Sequence, residues 1–140
     1  MKRISNLSIL IVMVITSSVL LASCQSEKER EKEKEKEKTK MEEARKEIIS
    51  KYEELKMDIN ERIEEIDRRL EDASGEFRKG LKNARKELLD ERSELEKTRD
   101  DIKKASVDTW DEVSATAEKT YSSARDGVKK IAKDIEEWLE

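Results

Sequence analysis

The chain has no histidine and no proline, one cysteine, three glycines, and aromatics at only 4% of its 140 residues. Each absence removes a class of chemistry. A single cysteine cannot form an intrachain disulfide. Without histidine, the usual zinc ligand sets and both Cys-His and Ser-His catalysis fall away. Scarce aromatics beside 47% charged residues cannot fill a core of the ordinary globular kind. The net charge of −4 is ill suited to nucleic acid or to anionic lipid surfaces, so no nucleic-acid partner is expected. What abounds is Glu, Lys, Arg, Leu and Ala, the composition of long helices and coiled coils.

The lone cysteine, Cys24, closes the run Leu21-Ala22-Ser23-Cys24. Before it stand two positive charges, Lys2 and Arg3, and a mostly apolar run from Leu7 to Leu21 broken only by Ser and Thr. Charge, a short apolar core and small residues at a cleavage point make a secretory signal. The run is shorter than the roughly 20 residues a membrane-crossing helix needs. The four residues ending in Cys24 resemble the lipobox of bacterial lipoproteins. That resemblance implies cleavage before Cys24, diacylation of its thiol and acylation of the new amino terminus. Residues 1–23 then form a signal peptide, residues 24–40 a lipidated Cys and tether, and residues 41–140 a helical coiled-coil domain. Two or three acyl chains on one residue anchor a protein stably in a membrane. In the sorting rule this arrangement resembles, Gln25 in place of Asp points to the outer membrane facing the periplasm, with the cell surface as the alternative.

Glu27 to Lys40 alternates acids and bases almost without interruption, six acids against seven bases, and holds no apolar residue. It has nothing to bury, and reads as a solvated tether, partly helical and continuous with the segment that begins at Met41. From Met41 the pattern changes. Apolar residues fall at Met41, Ala44, Ile48, Tyr52, Leu55, Ile59, Ile63, Ile66, Leu70, Ala73, Phe77, Leu81, Ala84 and Leu88. Their mean spacing is about 3.6, the α-helical period. The stripe thins after Leu88, where Glu91 or Arg92 and Thr98 or Arg99 occupy positions due an apolar residue. It recovers from Trp110 through Val113, Ala117, Tyr121, Ala124, Val128, Ile131, Ile135 and Trp138. One apolar stripe implies one buried side, covered by another part of the chain, by a second copy or by a protein partner.

Asp72-Ala73-Ser74-Gly75 is the best reversal candidate, and Ser106-Val107-Asp108-Thr109 the second. Thr109 with Glu112 fits a capping box opening the last helix. The expected fold is all-α: long amphipathic helices in a coiled-coil hairpin or three-helix bundle. The alternative is an extended rod, because the stripe keeps phase through Gly75. Trp110 and Trp138 share phase with the last stripe and are expected to be buried anchors.

Tyr52-Glu53-Glu54-Leu55, the segment from Ala105 to Val113 and Ala117-Glu118-Lys119-Thr120-Tyr121 resemble small bacterial helical proteins described as stress-response proteins. The family implies a charged coiled coil followed by an Ala-rich amphipathic helix, and no catalytic residues. The chain is therefore expected to be a lipid-anchored envelope protein with a structural or interaction role, not an enzyme, and with no cofactor or metal. Adjacent acids such as Glu136 and Glu137 diverge by about 100° on a helix and form no acid–base pair. The alternative is an amphipathic lipid-binding protein whose last helix lies on a membrane. Residues 108–140 hold nine acids and five bases, whereas membrane-surface helices are usually basic.

Overall fold

The computed structural model describes the backbone of residues 6–139 and the side chains of residues 26–139. The Leu21–Cys24 motif lies outside the described side chains. Three α-helices run in order: α1 (Asn6–Asp72), α2 (Gly75–Lys104) and α3 (Trp110–Glu137). A 3-10 turn, Val107–Thr109, precedes α3. The chain divides into two compact units, Met1–Lys40 and Met41–Glu140. In the first, residues 26–40 are helical and every side chain is exposed. Thr39 returns its hydroxyl to the Glu35 carbonyl at 2.9 Å, as threonine does within a helix.

The second unit is a three-helix bundle. The rod alternative fails at residues 73–74, where the helix stops. Gly75 has φ +61°, in the left-handed region that an L side chain enters only at a cost of about 1–2 kcal/mol. The open carbonyls at the end of α1 are met by one cation: the Arg78 guanidinium donates to Leu70 O at 2.9 Å and to Ala73 O at 3.1 Å. The stripe keeps its phase through the reversal because it continues on the next helix.

The second reversal also falls where expected, but its cap differs. Thr109 makes no side-chain cap for α3. Instead Ser106 N–H donates to Thr109 Oγ1 at 3.0 Å, and Thr109 N–H donates to Ser106 O at 3.2 Å. The reciprocal bond closes the 3-10 turn rather than the α-helix, since that turn supplies the extra residues needed to swing α3 back. Asp111 and Glu112 still lie in the first turn of α3, where the helix dipole favours acids.

Register is visible in pairs that cross the bundle. Glu53 meets Arg99, Asn60 meets Arg92 and Asp67 meets Arg85, so α1 and α2 run antiparallel. Trp138 packs on Gly80, and Glu91 on Gly127, which sets α3 antiparallel to α2. Between them lies the stripe read from the sequence: Ile59, Ile66, Leu81, Leu88, Leu95, Ile102, Ala117 and Ala124 are at most 1% exposed. Among the described residues the polar exception is Thr98, buried at a position due an apolar residue.

The tryptophans divide. Trp110 is partly buried against the core. Trp138, expected to be an anchor, is 43% exposed. It lies past the end of α3 and comes close to Gly80, where an added Cβ would stand 3.1 Å from its ring.

Candidate functional site

Residues with chemical potential fall into three groups. The first is Cys24, the expected lipid acceptor, whose side chain is outside those described. The second is the charged surface. Glu136 and Glu137 are both exposed and converge on nothing. Among the described residues, no group of three or more acids or other ligands is placed to hold a metal ion. No helix is long and apolar enough to cross a membrane, again among the described residues.

The third group lies around Tyr52, on the seam between α1 and α3. The ring is 2% exposed and its hydroxyl donates to the Ala117 carbonyl at 2.7 Å. Tyr121 packs beside it with ring centroids 6.1 Å apart. Burial pushes the Tyr52 hydroxyl up to about 12, while the nearby Thr120 hydroxyl pulls the other way. Next to this pair is a cleft of about 410 Å³, lined also by buried Ala117, partly buried Ile48 and the exposed Lys51, Glu118 and Arg125. Lys51 is held by Glu47 at 2.7 Å, which raises the ammonium and lowers the carboxyl from their usual ranges. The Tyr52 bond to Ala117 and the Tyr52–Tyr121 contact fasten α3 to α1.

A second fastening was not foreseen from the sequence. Arg45 extends along the bundle end, pairs with Glu42 at 2.8 Å, donates to the Ala105 carbonyl after α2 and lies 5.7 Å from the Trp110 ring centroid. One guanidinium thus holds the start of the bundle, the end of α2 and the start of α3, combining a charge-assisted bond with a cation–π contact. Its position beside Ala44 on the stripe flank was the available signal, but only the fold brings residue 105 to it.

Much of the stripe is buried inside the bundle, while Ile48, Leu70, Phe77, Val113 and Ile135 are only partly buried against it. Among the described residues, the large apolar side chains left exposed are Met57, Val107, Trp138 and Leu139. No protein-family model, curated protein or solved structure matches this chain.

Proposed function

We propose that the chain is a lipid-anchored protein of the bacterial cell envelope, with a structural or interaction role and no catalytic activity. The observation that carries this reading is the placement of the only cysteine directly behind Leu21-Ala22-Ser23 and a short apolar run. Exposed, charge-balanced residues 26–40 suit a spacer between the acylated Cys24 and a bundle that buries much of its apolar stripe. The proposed location is the outer membrane facing the periplasm, with the cell surface as the alternative. A role in stress response rests on the resemblance around Tyr52, Trp110 and Tyr121. A protein partner would meet the charged helix faces or the exposed Met57, Val107, Trp138 and Leu139.

The test is acyl labelling of wild type and Cys24→Ser in an expressing cell. The variant is expected to lose the label and to accumulate as precursor or leave the membrane fraction. Label that persists in the variant sinks the reading, because no other cysteine can take the diacylglyceryl group. Trp138, 43% exposed, and Leu139, 53% exposed, favour a second reading in which the C-terminal end touches lipid directly. Vesicle flotation of unlipidated protein decides this: recovery with the vesicles supports it, and recovery at the bottom removes it.

A further inference from the structure

The two seams made by α2 differ in kind. Against α1, α2 is tied by Arg85–Asp67, Arg92–Asn60, Lys56–Glu96 and Arg99–Glu53. Against α3, no ion pair or side-chain hydrogen bond crosses among the described residues. The ion pairs of α3, Arg125–Asp126, Lys130–Asp134 and Lys133–Glu137, stay within that helix.

This second seam holds a carboxylate where the stripe is due an apolar residue. Glu91 is half-buried between Leu88 and Leu95, and its Oε1 lies 3.1 Å from where a Cβ on residue 127 would stand. The seat exists because residue 127 is glycine. On its own helix Glu91 is flanked by Glu87, Asp90 and Glu94, all acids. From α3, Lys119 lines the same cleft of about 440 Å³ and Lys130 faces Glu87, yet neither forms an ion pair with Glu91. Among the described residues no charged group of α1 lines this cleft; Glu53, Lys56 and Asp67 face the other seam, where they pair with Arg99, Glu96 and Arg85 of α2. Burial first, and then the three neighbouring acids, raise the Glu91 carboxyl above its ordinary range.

We propose that Glu91 is a pH-dependent wedge between α2 and α3: ionised, it loosens the hold on α3, and protonated, it lets the seam close. The sign comes from linkage. A carboxyl raised in the folded state favours the closed seam below its unfolded value, near 4.5, and that contribution is lost as pH rises through the raised value. The α1–α2 seam responds in the opposite sense. Arg99 holds the Glu53 carboxyl below its ordinary 4.5, so that tie weakens as pH falls. At neutral pH α3 is therefore the element that opens first, uncovering Ala117, Ala124, Val128 and Ile131.

The experiment is hydrogen exchange of the full chain read by mass spectrometry, corrected for intrinsic rate, stepped from about pH 7 down to about pH 4, below the unfolded value of 4.5. In wild type, protection of α3 is expected to rise several-fold on acidification while α1 and α2 gain nothing. Glu91→Gln keeps the shape and removes the charge, so its α3 should be several-fold better protected at neutral pH and lose the pH response. Gly127→Ala fills the seat and pushes the carboxylate toward water, so it too should lose the response. Wild-type exchange of α3 in Glu91→Gln at neutral pH overturns the wedge. A Gly127→Ala protein that keeps the full pH response overturns the seat on which the wedge depends.

Discussion

Tyr52→Phe should reverse its effect on stability as pH rises. The hydroxyl it removes donates to Ala117 O at 2.7 Å from a side chain only 2% exposed. Such a bond contributes about 1 kcal/mol net, so at neutral pH the variant is expected to be less stable by about that amount. In the folded chain, however, the Tyr52 hydroxyl titrates at about 12, against 10.0 for the free group. A raised acid contributes its stability below the unfolded value and loses it as pH climbs through the folded one. At pH 11 the unfolded chain is ionised at this residue and the folded chain hardly at all, which takes away about 1.4 kcal/mol. At pH 12 the loss is about 2 kcal/mol. Phenylalanine has no such penalty. The stability difference should therefore vanish between about pH 10 and about pH 11 and favour the variant above that. Urea unfolding of both proteins at matched pH reads the difference, in which titration of the lysines common to both cancels. A difference that stays constant from pH 8 to pH 12 refutes the reasoning, since it would mean that Tyr52 is no more buried than the free side chain. Absorbance titration of a Tyr121→Phe background isolates the Tyr52 midpoint and checks the premise separately.

Gly75→Ala should lower stability by about 1 kcal/mol through its left-handed backbone alone, since no atom lies within 4 Å of an added Cβ; thermal melting reads this directly. Arg45→Met should lower stability by about 1–2 kcal/mol and quench less of the Trp110 emission, because it releases the Ala105 carbonyl and the ring together. Leu88→Ala, at 0% exposed, should lose about 2–5 kcal/mol, and a shift under 1 kcal/mol would mean that the three helices do not meet there. Trp110→Ala should lower the unfolding midpoint clearly more than Trp138→Ala, since the first ring packs on the core and the second is 43% exposed.

How much of this was legible in the sequence depends on whether a feature is local. The 3.6-residue stripe from Met41 to Leu88 was readable because a helix that buries one face must repeat its apolar residues at that spacing. Both reversals were readable because Gly75 and the Ser106–Thr109 run carry their turn chemistry within a few residues. Phase alone could not choose bundle over rod, since a stripe that passes through a tight reversal looks like one that never bends. The cap at Thr109 departs from expectation for a related reason: Ser106 and Glu112 both stand three residues from Thr109, and only the backbone path decides which one it serves.

What stayed hidden depends on register across the bundle. Arg85–Asp67, Arg92–Asn60 and Arg99–Glu53 are 18, 32 and 46 residues apart, increasing by 14 at each step. That increment is two turns of each antiparallel helix, so the three pairs form one ladder, and its register is set by a single turn at Gly75. In a chain with 47% charged residues almost any register would bring some opposite charges together. The ladder therefore cannot be picked out before the turn is known. Exposed pairs of this kind contribute only about 0–1 kcal/mol each, so they cannot dictate the turn in return. The glycines reverse this logic. Gly80 and Gly127 lie inside helices, where each weakens the helix by roughly 0.5–1 kcal/mol relative to alanine. Neither sits at a turn, so each cost is offset by a close approach: the Trp138 ring at one and the Glu91 carboxylate at the other. A glycine inside a regular helical pattern leaves room for a neighbour, but only the register of the folded bundle makes Glu91 the neighbour of residue 127. The two meet at the α2–α3 seam, where an acid side chain stands in place of a hydrocarbon.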